Sequence, residues 1–374
     1  MTDTHSHPSP SGIPLGGGCD PALALREVQR RWRSDLLDQM GDFIRIPALS
    51  PAFDADWVEH GFLDQMVELA AAWLTAQRLP GAVIEILRSP GRTPLLFVDI
   101  PAQGTATEAT VLVYGHLDKQ PEFQGWREGT GPWTPVFDGI RLFGRGSADD
   151  AYAVCLLGAA LGALVAQGSS YPRCVAVFET GEESGSPDLA YWLGVLGDRL
   201  GQVGLVACLD SGAGDYDRLW AVTSLRGTAS ATLTVRVLDE GAHSGDAGGV
   251  VPSSFRVLRA LLDRVESSAT GEILLPELRC DIPADREDQA RATAELLGAS
   301  LWERFSWASS ADGTVRACTE DPHEALLRRA WHPSLAVVGA EGMPPLATAG
   351  NVLRPFTSIR LSLRLPPLCG AAAA

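Results

Sequence analysis

Three features that would suggest a membrane or nucleic-acid partner are missing from this sequence. It has no run of about 18 apolar residues, the length that a membrane-spanning helix requires. It has few basic residues, with 30 Lys and Arg against 46 Asp and Glu, and a formal net charge of −16. Because such a surface repels phosphate groups, we expect neither a nucleic acid nor an anionic membrane as partner.

Signals for disulfides and secretion are also missing. The seven cysteines are an odd number without a CxxC pair, which is typical of a reducing compartment. Three of them lie in apolar runs and are predicted to be buried thiols: Cys155, Cys174 and Cys208. The first residues contain neither the basic nor the apolar segment of a signal peptide. We therefore predict a flexible tail over residues 1–20, with His5 and His7 solvated, and a cytoplasmic protein.

The length and the hydrophobic pattern predict two domains. The chain has 374 residues, of which 45% are hydrophobic, and this is too many residues for one ordinary core. In residues 21–227 short apolar runs alternate with helical patterns, which predicts an α/β domain with a largely parallel sheet flanked by helices. Polar and apolar residues then alternate in Thr228–Val237 and Thr357–Leu365, as in half-buried strands. Residues 228–370 are therefore predicted to form a smaller α+β domain.

Histidine and acidic residues follow several of the predicted strands. His116 comes directly after VLVY and can bind a metal, and Asp118, on the same side of an extended chain, can accept its other N–H. A histidine with satisfied hydrogen bonds at a strand end is the alternative. Asp149 and Asp150 begin a predicted helix, where they either cap its N-terminus or place a carboxylate between two cations.

More carboxylates follow the next two strands. Glu179, Glu182 and Glu183 follow CVAVF, where three like charges repel one another unless a cation or a proton compensates. Asp210 follows LVAC and is by itself an ordinary capping candidate. Because open α/β sheets collect site residues at the carboxyl ends of their strands, we expect these groups to meet. A mixed histidine and carboxylate set favours Zn²⁺, Mn²⁺ or Co²⁺ over Ca²⁺.

Five motifs in order, GHLD, GRGSADD, EESGS, LDSG and AHSG, resemble those of the M20 metallopeptidases. The resemblance extends from about Ala22 to Leu365 and is strongest to the dipeptidase branch, which includes carnosinases. It implies hydrolysis of amide bonds in dipeptides or short peptides through a metal-activated water. A deacylase of N-acyl amino acids from the same family is the alternative. The resemblance further implies two divalent metal ions, zinc first with manganese or cobalt as alternatives, and a homodimer formed through the smaller domain.

The resemblance also implies a role for each motif residue. Four residues are implied metal ligands: His116, Asp149, Glu183 and Asp210. Asp149 bridges the two metals, Glu182 is the general base, and Asp118 orients His116. His243 belongs to the smaller domain, which resembles the family's lid and dimerisation domain. There it resembles the histidine that reaches the partner subunit's site and stabilises the oxyanion.

Two features depart from the family pattern. Ala151 and Tyr152 follow the paired aspartates, where many relatives have Lys-Gly, and we expect this change to be tolerated. After Arg364–Pro367 the family continues to a late histidine that binds the second metal, whereas here only LCGAAAA follows. We therefore expect an incomplete smaller domain, a truncated or frameshifted version of a longer chain, and negligible activity for the sequence as given. An inactive remnant is the corresponding alternative function.

Overall fold

The computed structural model of the chain describes residues 18–104, 109–310 and 313–370. Most of the predicted tail, with His5 and His7, lies outside the described residues. The chain forms two compact units that divide after Gly212, ahead of the boundary that the sequence pattern places after Gly227. The segment between these positions bonds to the second unit, because Thr223 Oγ1 donates to Gln289 at 2.9 Å and Arg226 Nη1 to the Arg328 carbonyl at 3.1 Å.

The helices of the first unit begin with one long helical segment. A π-helical turn, Trp32–Leu36, joins its two α-helices, and the Asp20 side chain caps its start by accepting the Ala22 and Leu23 N–H groups. The segment and the next long helix both occupy stretches with the predicted helical spacing. The helices are α1 (Pro21–Arg31), α2 (Leu37–Arg45), α3 (Trp57–His60), α4 (Phe62–Ala76), α5 (Tyr152–Ala166) and α6 (Leu189–Leu196).

The strands of the first unit are β1 (Val83–Leu87), β2 (Leu95–Ile100), β3 (Thr110–His116), β4 (Val136–Phe137), β5 (Leu142–Phe143), β6 (Cys174–Glu179) and β7 (Val203–Cys208). Strands β4 and β5 form a separate hairpin, and the others form one sheet in the order β1-β2-β6-β3-β7. Strand β3 is parallel to both β6 and β7, while β2 is antiparallel to both of its neighbours. All strands of this sheet except β2 therefore run in one direction, so the largely parallel sheet is confirmed.

Apolar side chains cover both faces of this sheet. Successive residues of a strand point to opposite faces, and β2 shows this alternation. Leu96 and Val98 belong to a buried cluster that includes residues of α2, α4 and α5, whereas Leu95 and Phe97 pack in a second cluster with Trp192 of α6. Complete burial of one such side chain contributes roughly 1.5–3 kcal/mol. The sheet is thus a buried and rigid support for the loops at its edge.

Strand β7 is an exception, because it lies at the edge of the sheet and is solvent-exposed. Leu205 is 49% and Val206 56% exposed. The prediction of a buried Cys208 is therefore wrong, since this thiol is exposed, while Cys155 and Cys174 are buried as predicted. An apolar strand sequence indicates burial only when other elements cover both of its faces.

The second unit is an α+β structure. Its strands are β8 (Gly227–Arg236), β9 (Ala242–His243), β10 (Ser309–Ser310), β11 (Gly313–Thr314), β12 (Ser334–Glu341), β13 (Val352–Leu353) and β14 (Phe356–Leu365). Its helices are α7 (Ser244–Ala247), α8 (Ser254–Leu262), α9 (Ala284–Leu297), α10 (Ser300–Glu303) and α11 (Pro322–Ala330). Strands β12, β14 and β8 form an antiparallel sheet, against which Leu258 of α8 packs beside Val235 and Ile359. Within the described ranges, no helix is long and apolar enough to cross a bilayer.

Candidate metal centre

The predicted ligands of the first unit gather at the carboxyl edge of its sheet. His116 is the last residue of β3 and pairs in register with Glu179, the last residue of β6. Strand β7 lies on the other side of β3, also parallel, and Asp210 follows its end. Because three parallel strands end at this edge, the residues that follow them are brought together, as the sequence pattern predicts.

The imidazole of His116 is completely buried and lies at the centre of the cluster. Its Nε2 atom is 3.0 Å from Asp149 Oδ1, 3.8 Å from Asp210 Oδ2 and 3.9 Å from Glu182 Oε2. Two overlapping sets have ligand atoms within 4.8 Å of one another: His116 with Asp149 and Glu183, and His116 with Glu182 and Asp210. The structure thus brings the three predicted carboxylate ligands and the predicted base around the imidazole of the fourth ligand, His116.

Asp118 contacts both His116 and the turn that carries Glu182 and Glu183. Its Oδ1 atom lies 3.4 Å from His116 Nδ1, and its backbone carbonyl lies 3.1 Å from the same nitrogen. The buried carboxylate also accepts the backbone N–H groups of Glu182 at 3.2 Å and of Glu183 at 3.0 Å. The contact with the imidazole was predicted from the spacing of the two residues. The contacts with the glutamates show in addition that Asp118 fixes the short helical turn Glu182–Ser184.

Burial and mutual repulsion perturb the acidic groups of the cluster. Burial raises the pKa of Glu182 to about 7, and it also raises the pKa values of Glu183 and Asp210. The hydrogen bond from His116 lowers the pKa of Asp149. For His116 itself burial lowers the pKa, but the hydrogen bonds to Asp118 and Asp149 outweigh it and raise the value to about 11. The side chains alone therefore retain protons that a cation can replace.

Several supporting residues have roles that the sequence did not suggest. Asp150, 1% exposed, accepts the His116 backbone N–H through Oδ2 at 3.1 Å, and burial raises its pKa to about 7. Gly115 is required beside it, because a Cβ atom there would lie 2.6 Å from Asp150 Oδ2. Gln120 Nε2 donates to Glu183 Oε2 at 2.5 Å. In the sequence, only its position in the loop after His116 indicates that Gln120 lies near the site.

Lys119 links the loop that leads to Asp149 with the end of α2. Its side chain is buried, and Nζ donates to the carbonyl oxygens of Phe43 and Ile46, both at 2.6 Å. Gly146 packs closely on its stem, since a Cβ atom there would lie 2.8 Å from Lys119 Cε. The loop that leads to Asp149 is thereby held against the end of α2.

His243 lies in the second unit, at the end of β9. It pairs with Val352 of β13, and its Nδ1 accepts the backbone N–H of Gly245 at 3.2 Å. The side chain is exposed and is thus available to another molecule. Its role at a partner subunit's site remains a prediction.

The chemistry of the donor set fits a divalent metal. One imidazole and four carboxylates lie close together, and a mixed set of this kind is typical of Zn²⁺, Mn²⁺ or Co²⁺ sites. Burial, and after it the neighbouring carboxylates, raise the pKa values of Glu182, Glu183 and Asp210, so a bound cation would favour their ionised forms.

Comparison with known sequences agrees with the motifs. The model described as peptidase family M20/M25/M40 matches residues 112–273. The chain is 27% identical over 321 residues to the Beta-Ala-His dipeptidase of Homo sapiens, covering 80% of this chain and 60% of that protein. It is 26% identical over 272 residues to the Cys-Gly metallodipeptidase dug1 of Schizosaccharomyces pombe, covering 70% of this chain and 54% of that protein. The chain therefore spans just over half of the length of these curated relatives.

Solved structures show the same fold. The dipeptidase Dug1p of Saccharomyces cerevisiae matches with a TM-score of 0.70 and 22% identity, over 94% of this chain and 73% of that one. Human carnosine dipeptidase 1 matches with a TM-score of 0.70 and 23% identity, over 95% of this chain and 75% of that one. The chain therefore resembles the M20 peptidase family in its motifs and in the segment that the family model matches, and it shares the fold of these solved dipeptidases.

Proposed function

We propose that the protein is a metal-dependent dipeptidase, which hydrolyses the amide bond of dipeptides or short peptides. The observation that carries this proposal is the convergence of Asp149, Glu182, Glu183 and Asp210 on His116. The similar Beta-Ala-His and Cys-Gly dipeptidases support a small peptide as the substrate. The first unit is the catalytic unit, because it contains this whole cluster.

Two divalent metal ions are proposed for this cluster, with zinc first and manganese or cobalt as alternatives. His116 and Asp210 would hold one ion and Glu183 the other, and Asp149 could serve as a ligand to both. When bound, such ions polarise the scissile carbonyl and make a water molecule more acidic. Asp118 keeps the imidazole in one orientation, since it contacts Nδ1 and leaves Nε2 directed at Asp149.

Glu182 is the proposed general base. Its carboxylate is held at the cluster by its own backbone N–H, which Asp118 accepts, and one third of the side chain is exposed to solvent. It takes a proton from the attacking water and delivers it to the nitrogen of the leaving amine. Its pKa of about 7, raised by burial, suits both transfers near neutral pH.

The second unit is proposed to form a homodimer. His243 of one subunit then donates a hydrogen bond to the negative charge that develops on the scissile carbonyl oxygen in the other subunit. Its exposed imidazole supports this assignment. The scattered free cysteines support a reducing compartment, and we place the protein in the cytoplasm on that basis.

The test is hydrolysis by the protein loaded with Zn²⁺, Mn²⁺ or Co²⁺. Because the proposed base and metal ligands gather in this chain, we now expect, in place of the negligible activity expected from the sequence, cleavage of β-alanyl-histidine or cysteinyl-glycine that is lost on chelation and in the Glu182→Gln variant. N-acetyl amino acids serve as the comparison substrates. Faster cleavage of the N-acetyl compounds than of either dipeptide would contradict the proposal and favour a deacylase.

A further inference from the structure

The second unit contains a cavity that no metal ligand lines. Its volume is about 1020 Å³, at the upper end of the range of about 300–1,000 Å³ for small-molecule sites. Arg226 and Pro366 form part of its wall, and they flank the paired residues Gly227 and Leu365. It therefore lies at the Gly227 end of β8, whereas His243 follows the opposite end of that strand. The cavity is thus distinct from the part of the unit that carries the proposed catalytic histidine.

The wall of this cavity is strongly basic in a protein that is acidic overall. It contains five arginines and two glutamates, while the whole chain has a net charge of −16. Both glutamates are already paired, Glu272 with Arg279 at 3.3 Å and Glu324 with Arg328 at 2.6 Å. The excess positive charge therefore belongs to the remaining arginines.

Those arginines, Arg226, Arg304 and Arg329, form no ion pair with any carboxylate among the described residues. In the described part of the chain, the acceptors of Arg226 Nη1 are neutral oxygens, including the His332 carbonyl and Ser334 Oγ, both at 3.0 Å. Burial lowers the pKa values of Arg226 and Arg329, and neighbouring arginines lower them further. The guanidinium groups thus repel one another and have donors to spare, which is the condition that an oxyanion relieves.

Aromatic rings complete the wall. The contributors are Trp302, Phe305, Trp307 and Trp331. Phe305 and Trp307 contact each other edge to face, with centroids 6.1 Å apart, and the Arg304 guanidinium lies 4.8 Å from the Phe305 centroid. Rigid rings beside guanidinium groups favour a flat apolar body that carries a negative charge.

We propose that this cavity binds a small aromatic oxyanion, a planar ring that carries a carboxylate or a phosphate. Arg329 and Arg304 bind the anionic group, and the tryptophan rings contact the planar body. The site lies within the second unit and involves none of the residues assigned to peptide hydrolysis.

Calorimetric titration of the purified protein tests this proposal. The probes are naphthalene-2-carboxylate, 2-naphthyl phosphate and the uncharged naphthalene-2-carboxamide. We expect at least one of the two anions to bind at least tenfold more tightly than the amide, since a charge-assisted bidentate contact is worth about that factor or more. The anion that binds more tightly identifies the oxyanion that the site prefers.

Variants then locate the binding. Arg329→Gln and Arg304→Gln should each weaken the anion by about tenfold. The matched control is Arg291→Gln, on the exposed face of α9, which should leave the affinity unchanged. Thermal unfolding establishes that each variant is folded, and Arg304, which is exposed, carries the test if Arg329→Gln does not fold. Binding of both anions no tighter than that of the amide, no measurable binding of either anion, or unchanged affinity in the folded arginine variants would overturn the proposal.

Discussion

The pH at which metal binds is the perturbation that most directly probes the cluster. His116 Nε2 lies 3.0 Å from Asp149 Oδ1, so the metal-free protein holds a proton between these atoms. The hydrogen bonds to Asp118 and Asp149 raise the pKa of His116 to about 11 against the opposing effect of burial. Burial raises the pKa of Glu182 to about 7. Since a metal requires an unprotonated His116, and its positive charge favours the ionised form of the neighbouring Glu182, binding should displace these protons.

The size of the effect follows from these values. At pH 7 His116 is almost fully protonated and Glu182 is about half protonated, so we expect release of roughly 1–1.5 protons with the first metal. Each displaced proton makes the affinity rise about tenfold per pH unit. Between pH 6 and pH 8 the affinity should therefore increase by about a hundredfold or more. The metal affinity must rise with pH, because protons compete with the metal for groups whose pKa values are raised.

Titration calorimetry with Mn²⁺ or Zn²⁺ measures this release. The apparent enthalpy, plotted against the ionisation enthalpy of several buffers at one pH, has a slope equal to the number of protons exchanged. The control variant is His60→Gln, because His60 is an exposed histidine that pairs with Asp54 at 2.8 Å. It should leave the slope unchanged. A slope near zero, together with an affinity that does not change between pH 6 and pH 8, would refute the reasoning.

Two further substitutions test how the cluster is supported. Asp118→Asn should weaken metal binding by about 10–100-fold, because it replaces the carboxylate that orients His116, and competition with a chromogenic chelator measures this loss. Gly115→Ala should lower the free energy of unfolding by about 1–3 kcal/mol, because its Cβ would lie 2.6 Å from Asp150 Oδ2. The control for the second variant is Gly194→Ala in α6, where nothing lies within 4 Å of the added Cβ, and urea titration should show unchanged or slightly increased stability.

The sequence predicted best those features that depend on local pattern. Helical spacing in Phe62–Ala76 and a short apolar run in Leu95–Ile100 are clear from the sequence, and these segments form helix α4 and strand β2. The convergence of the ligands was also predicted, since it requires only that parallel strands end at a common edge. The distances around His116 depend on side-chain conformations that the sequence does not reveal.

The features that sequence reasoning missed depend on distant parts of the chain. The exposure of Cys208 follows from the edge position of β7, which the strand's own residues do not specify. Lys119 is buried because the carbonyl groups of Phe43 and Ile46 accept its ammonium, and these residues lie more than 70 positions earlier in the sequence. Gln120 contacts Glu183 for a similar reason, because two loops meet at the edge of the sheet.

The most direct test of the account compares Glu182→Gln with Glu183→Gln for metal content and turnover. The geometry places Glu182 in a possible ligand set with His116 and Asp210, so its role as a base must be separated from a role as a ligand. We expect Glu182→Gln to bind as much metal as the unchanged protein while dipeptide hydrolysis falls by about 10²–10⁴-fold, since only the proton acceptor is removed. Glu183→Gln should instead lose metal and activity together. Loss of metal from Glu182→Gln, or hydrolysis by this variant at the unchanged rate, would contradict the assignment of Glu182 as the general base.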